Sequence, residues 1–250
     1  MSDLIKCGIP AKGRLRKFVL NIFKKNKLKL ISKRGERDLF ASIQGKRNIQ
    51  IIYLHAREII ERLADKSLDI GFSGLDLLKE SEINIQKNIK VFKNYPYGQA
   101  TLVVACPINW IDVFSMADLE EVAFEFKDKK RKRLRVATKY PNLTREFLFS
   151  KGVTQFKIVD SLGATEAYPF TGSSEIITDI TSTGETLRAN NLRILKDGII
   201  LKSEACIMIS KSASKSNVLK KYNFGKASLV IAIPDPWIDV QTVADLEEIA

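Results

Sequence analysis

"SEIITDITSTGETLRAN" (174–190) decides the fold class. Residues 174–176 read as a short helix leading into the β-branched strand "ITDIT" (177–181). Gly184 then offers a turn, and a helix starts near Glu185. Strand, glycine turn and helix in succession are the unit of an α/β sheet. The stretch also carries chemistry. Backbone amides around "TSTGET" can converge on an anion where the chain turns at Gly184. Thr183 and Thr186 add hydroxyls, and a helix beginning at Glu185 would aim its amino end at the same point. Asp179 cannot contact a phosphate, because like charges repel, but it suits the hydroxyls of a ribose beside one. A turn followed by a capped helix explains the same residues without any ligand.

The alternation extends in both directions. "DLIKCGIP" (3–10), "IQIIYLH" (49–55), "LDIGFSG" (68–74), "ATLVVACP" (100–107), "LRVATKYP" (134–141) and "FKIVDSLG" (156–163) read as strands. Between them "RLRKFVLNIFKKN", "AREIIERLADKS", "LDLLKES", "SMADLEEVAFEF" and "NLTREFLFSKG" have helical spacing. Ser115 is placed to cap its helix with Asp118 three residues on, and Gly152 closes another. "LRILKDGIILKSEACIMISK" (192–211) reads as two or three antiparallel strands. The expected class is α/β with largely parallel sheets.

Composition narrows the function. Lys and Arg number 41 against 29 Asp and Glu, a formal charge of +12. The basic runs "KKNKLKLISKRGER" and "KDKKRKRLR" fit a solvated surface, a nucleic acid or a polyanionic small substrate. No aromatic residues interleave with them and no zinc-finger spacing occurs, so nucleic acid is not the expected partner. Cys7, Cys106 and Cys206 sit far apart in apolar contexts and read as buried free thiols. With His55 the single histidine, a protein zinc site or a Ser-His-Asp triad is a poor expectation. No apolar run approaches a membrane span, and the amino terminus lacks a signal-peptide pattern, so a cytoplasmic chain is expected.

Two further loops follow strands. "PAKGRLRK" (10–17) brings Lys12, Gly13 and Arg14 to a strand end, where open α/β sheets bind ligands. "DIGFSGLDLL" (69–78) places Gly71, Ser73, Gly74 and Asp76 in a strand-to-helix turn. Separately, 100–123 recurs as 227–250 with about 15 of 24 positions identical, too few copies for a solenoid. A partial duplication is the simplest account.

"KGRL", "DIGFSGLDLL", "RVATKYPNLTREFL", "SLGATEAYP" and "DITSTGETLRANNL" come in the order found in ATP phosphoribosyltransferases, the first enzymes of histidine biosynthesis. The chain resembles that family over about residues 4–210, with spacing close to alphaproteobacterial members. The resemblance implies a two-lobe α/β fold like a type II periplasmic binding protein, with the active site in the cleft. The lobes would be 1–100 plus 193–211, and 101–192, leaving 212–250 as an atypical tail. It implies a glycosyltransferase that joins ATP to phosphoribosyl pyrophosphate with Mg²⁺, which the substrate phosphates carry.

By the same resemblance Ser182, Thr183, Gly184, Glu185 and Thr186 bind phosphoribosyl pyrophosphate, with Asp179 and Glu166 on the ribose. Lys12, Gly13, Arg14, Gly74 and Asp76 bind ATP. Arg37 is expected to stabilise the leaving pyrophosphate. Many members carry an arginine where this chain has His55, so His55 or the nearby Arg57 is expected in that catalytic position. The length resembles the short form, which works with a histidyl-tRNA synthetase-like regulatory subunit in a hetero-octamer and is a homodimer alone. The competing expectation is a non-catalytic nucleotide- or anion-binding module of the same architecture.

Overall fold

A computed structural model describes residues 4–32 and 38–212. Arg37 and the repeat at 227–250 lie outside the described residues. The described residues form two compact units, 4–97 with 205–212, and Gly98–Glu204. This boundary divides the expected 193–211 segment: 193–204 belong to the second unit and only the residues from Ala205 to the first.

The first unit opens with β1 (Ile5–Pro10) and α1 (Gly13–Lys25). It continues through β2 (Leu30–Ile31), β3 (Phe40–Ile43), β4 (Lys46–Leu54), α2 (Ala56–Ala64), β5 (Ile70–Gly74), α3 (Leu75–Glu80) and α4 (Ile83–Lys87). β1 pairs in parallel with β4 on one side and β5 on the other. Residues 205–209, in the long strand β10 (Leu192–Ser210), add antiparallel to β5. Helices cover both faces. α1 seals one with Val19, Ile22 and Phe23 against Ile5, Cys7 and Ile9. α2 seals the other with Ile59, Ile60 and Leu63 against Ile52, Leu54 and Met208.

The fit of α2 depends on a glycine. A Cβ at Gly71 would overlap Ile59 Cγ2 and come within 3.0 Å of Leu63 Cδ1. Gly71→Ala is therefore expected to lower stability by about 1–3 kcal/mol, the usual range for overpacking. A thermal melt with an unchanged midpoint would contradict that packing.

The second unit takes over at Gly98, within β6 (Ile89–Pro107). There follow α5 (Met116–Lys130), β7 (Leu134–Thr138), α6 (Pro141–Ser150), β8 (Phe156–Asp160), a 3-10 turn at Thr165–Ala167, β9 (Ile176–Thr181) and α7 (Glu185–Ala189). β7 is parallel to both β8 and β9, and β9 is antiparallel to β6. α5 and α6 bury Met116, Leu119 and Leu148 against Leu134 and Val136. Leu187 of α7 packs with Val103, Ala137 and Ile177.

The expected capping box starts α5. Ser115 Oγ accepts from the Asp118 amide at 3.3 Å, and Asp118 Oδ2 accepts from the Ser115 amide at 2.8 Å. The Phe114 and Ser115 groups hold the Asp118 carboxyl below its ordinary range. Two expectations need correction. Residues 174–175 form no helix; the Glu175 carboxylate is held by the Arg135 amide and guanidinium, and the strand starts at Ile176. The segment 192–211 forms one 19-residue strand, not two or three. Within that strand the chain bends at 195–198: a Cβ on Gly198 would lie 2.9 Å from Leu195 Cβ and 3.2 Å from both the Leu195 carbonyl oxygen and Val104 Cβ, so the glycine makes room for the bend.

Candidate functional site

In the second unit the parallel strands β8, β7 and β9 all end at one edge, where open α/β sheets hold their ligands. Lys139 follows β7, Glu166 lies in the 3-10 turn after β8, and Ser182–Glu185 follow β9. Gly184 adopts φ +75°, a left-handed turn that glycine takes without cost. Its amide donates to Thr181 Oγ1 at 2.9 Å, and the Glu185 amide donates to Thr183 Oγ1 at 3.3 Å. The turn is thus preformed by its own hydroxyls. Arg188 ties it from behind by donating to the Thr183 carbonyl at 3.2 Å. Ser182, Thr183, Glu185 and Thr186 are exposed, and Gly184 is buried. The Thr186 hydroxyl has no hydrogen bond among the described residues.

Asp179 stands one turn back in β9 and is half-buried. Burial raises its carboxyl above the ordinary range; the Ile180 amide and Lys139 oppose this, and Glu166 adds to it. Asp179 therefore senses both Glu166 and Lys139. Beneath them Thr178 Oγ1 donates to Thr138 Oγ1 at 2.6 Å, and the Thr144 and Thr178 hydroxyls are also 2.6 Å apart. This buried hydroxyl triad ties β9 to β7 and α6 under the loop. A cavity of about 520 Å³ opens beside Ser182, lined also by Thr101, Lys202 and Glu204.

The first unit repeats the placement at the carboxyl ends of β1, β4 and β5. Lys12 and Gly13 turn β1 into α1, with Gly13 at φ +86°; Lys12, Gly13 and Arg14 are exposed. The Tyr97 hydroxyl fixes this turn by donating to the Arg14 carbonyl at 3.3 Å. His55 follows β4 and caps α2: its Nδ1 accepts from the Arg57 amide at 3.4 Å. Arg57 is exposed in the first turn. After β5, Asp76 is only 9 % exposed. Its Oδ1 lies over Gly74, where a Cβ would collide with it.

The structure thus gathers Glu166, Asp179 and Ser182–Thr186 at one edge of the second unit. It gathers Lys12, Gly13, Arg14, His55, Arg57, Gly74 and Asp76 at the corresponding edge of the first. Sequence reasoning missed Lys139. The signal was available, since Lys139 follows β7 as Lys12 follows β1. No group of three His, Cys, Asp or Glu side chains suited to a metal occurs among the described residues. No described helix is long and apolar enough to cross a membrane. All three cysteines are buried and form no disulfide, and burial pushes the Cys7 thiol up to about 12.

Two α/β units joined by two long strands, each with loops at the carboxyl edge of parallel strands, define the type II periplasmic-binding-protein class of fold. A solved structure of an ATP phosphoribosyl transferase (HisG:HisZ) complex from Thermotoga maritima shares the fold, with TM-score 0.69 and 23% identity over 99% of this chain and 100% of that one. The family model "HisG: ATP phosphoribosyltransferase" matches residues 55–222. ATP phosphoribosyltransferase from Nitrobacter winogradskyi is 44% identical over 87% of this chain and 67% of its own. The Mesorhizobium japonicum enzyme is 41% identical over 84% and 91%. The chain belongs to the ATP phosphoribosyltransferase family, transferases of histidine biosynthesis.

Proposed function

We propose that the chain joins ATP to phosphoribosyl pyrophosphate. Adenine N1 attacks the anomeric carbon with inversion. The carbon–oxygen bond to pyrophosphate breaks, and its electron pair leaves with the pyrophosphate. The products are phosphoribosyl-ATP and pyrophosphate. The observation that carries this reading is the preformed Gly184 loop beside the Asp179 and Glu166 carboxylates.

In this reading the Ser182, Thr183 and Thr186 hydroxyls hold the ribose phosphate, on a turn that the Gly184 and Glu185 amides fix by donating to Thr181 and Thr183. Asp179 and Glu166 accept from the ribose hydroxyls, and Lys139 balances their charge. Adenine brings its own nucleophile, so no histidine base is needed. The demand falls on positioning an oxocarbenium-like centre and on neutralising the leaving group. Lys12, Gly13 and Arg14 meet ATP phosphates, while Gly74 and Asp76 line the nucleotide pocket. Arg37 and Arg57 serve the pyrophosphate. Mg²⁺ arrives on the substrate phosphates and supplies part of that neutralisation.

In this reading His55, whose imidazole caps α2, is the structural residue and Arg57 the cation that acts. His55→Ala should cost about 0.5 kcal/mol, the low end of cap losses, with kcat nearly unchanged. His55→Asn should restore stability. Arg57→Ala should lower kcat/KM instead. The reverse pattern would give His55 the catalytic position.

We assign the chain a HisZ-like, synthetase-related partner, as in the Thermotoga maritima complex whose fold it shares. The deciding assay mixes the chain with ATP, phosphoribosyl pyrophosphate and Mg²⁺, with and without that partner. Phosphoribosyl-ATP is the expected product; none in either mixture would leave a non-catalytic nucleotide-binding module.

A further inference from the structure

The basic run "KDKKRKRLR" (127–135) plays no part in the reaction above, yet the second unit builds a cavity of about 800 Å³ around it. This cavity lies at the amino ends of the parallel strands, opposite the Gly184 loop. Arg133 immediately precedes β7, Lys157 is the second residue of β8, and Glu175 immediately precedes β9. The two edges stand about 16 Å apart, the length of a five-residue strand.

Its walls divide by chemistry. Trp110, Phe126 and Phe170 supply aromatic surface, with the Trp110 and Phe126 rings 6.2 Å apart and tilted at 41°. The Trp110 carbonyl is held by Arg193, and Lys130 Nζ sits 3.7 Å over the Phe126 ring. Among the cations, only Arg135 is committed to an acid: its guanidinium is 2.6 Å from Glu175, which keeps it charged. Lys132, Arg133 and Lys157 are exposed and make no ion pair among the described residues. They come from two strand starts, and the turn that delivers Lys132 and Arg133 is set by Arg131 at φ +54°, closed by the Lys132 amide donating to the Phe126 carbonyl at 3.1 Å.

A plain solvated face would spread these cations apart. Here they ring a concavity of nucleotide size with aromatic rings on its wall. A base can stack on the rings while two or more phosphates meet the cations. We propose that this cavity is a second ligand site, separate from the catalytic one, for a nucleoside polyphosphate.

The chain has two tryptophans, so a full-length Trp237→Phe protein leaves Trp110 as the sole indole reporter. ADP should quench its emission saturably. Lys132→Glu/Arg133→Glu should weaken that binding by about tenfold or more, and Lys157→Gln, from the other strand, should weaken it less. Basal phosphoribosyl transfer should be unchanged in both variants. Inorganic tripolyphosphate should bind more weakly than ADP, and a single-stranded oligonucleotide no more tightly than ADP. Absence of saturable quenching, or ADP binding unaffected by both variants, would overturn the proposal. So would tripolyphosphate matching ADP, which removes the aromatic wall, or affinity that climbs with oligonucleotide length, which makes the surface a nucleic-acid groove.

Discussion

Gly184→Val is expected to lower kcat/KM for phosphoribosyl pyrophosphate by about 100-fold or more. Space is not the cause: a Cβ at Gly184 would meet only Ile194 Cδ1, at an ordinary 3.4 Å. The backbone is. At φ +75° a side chain costs about 1–2 kcal/mol, and a β-branched one is the worst case. Relief requires the peptides on either side of residue 184 to rotate. That rotation would pull the residue 184 amide from Thr181 Oγ1 and the Glu185 amide from Thr183 Oγ1. With the loop displaced, the Thr183 and Thr186 hydroxyls lose the aim at the phosphate proposed for them; each hydrogen bond lost to a charged acceptor costs about 1.5–3 kcal/mol, so two account for the expected factor. Gly184→Ala should fall between. Steady-state kinetics with phosphoribosyl pyrophosphate varied, beside a thermal melt, checks both effects; a valine variant with unaltered kinetics would remove the loop from the site.

The parts of the fold legible in sequence were those with local signals. Period and caps locate α1, α2, α5 and α6, and the Ser115–Asp118 box forms as its spacing demands. The long strands were illegible for a physical reason. β6 is continuously buried only from Leu102; between its buried first residue Ile89 and that point its residues alternate or lie half-exposed, and Gly98 at φ +64° reads as a break. The sequence "KDG" in β10 reads as a turn that ends a strand, whereas the chain bends there, Gly198 against Leu195, and the strand continues. Chain continuity between two units is a tertiary property, and no local pattern encodes it.

The site followed a similar division. The residues of one loop, Ser182–Thr186, are legible as a candidate because they are contiguous in the chain. His55 follows a strand, and its Nδ1 accepts from the Arg57 amide at the start of α2, a contact that the sequence does not announce. Lys139 and the Thr138–Thr144–Thr178 hydroxyl triad come together only when β7, α6 and β9 are packed. The aromatic rings beside the basic run were missed likewise: Trp110 and Phe170 reach Lys132 and Arg133 from distant parts of the chain.

Asp179→Asn separates function from stability with opposite signs. In the role proposed for it Asp179 accepts from the ribose as a carboxylate, yet burial favours its protonated form. Its folded pKa is raised, so the fold's advantage from this group is fully present below the ordinary carboxylate pKa and is lost as pH rises through the folded value. At neutral pH the unsubstituted protein therefore carries a buried charge that asparagine removes. The variant should melt no lower, and higher if its amide finds the Ile180 region equally accommodating, with the two melts converging in acid. Transfer should fall by about tenfold to a hundredfold, the worth of a hydrogen bond to a charged acceptor. The acid limb of kcat/KM reports groups in the free enzyme. In the unsubstituted protein it should lie above the usual carboxylate range, and in the variant that limb should weaken. A variant less stable at neutral pH, or one retaining full kcat/KM, would mean that Asp179 holds the strand rather than the sugar.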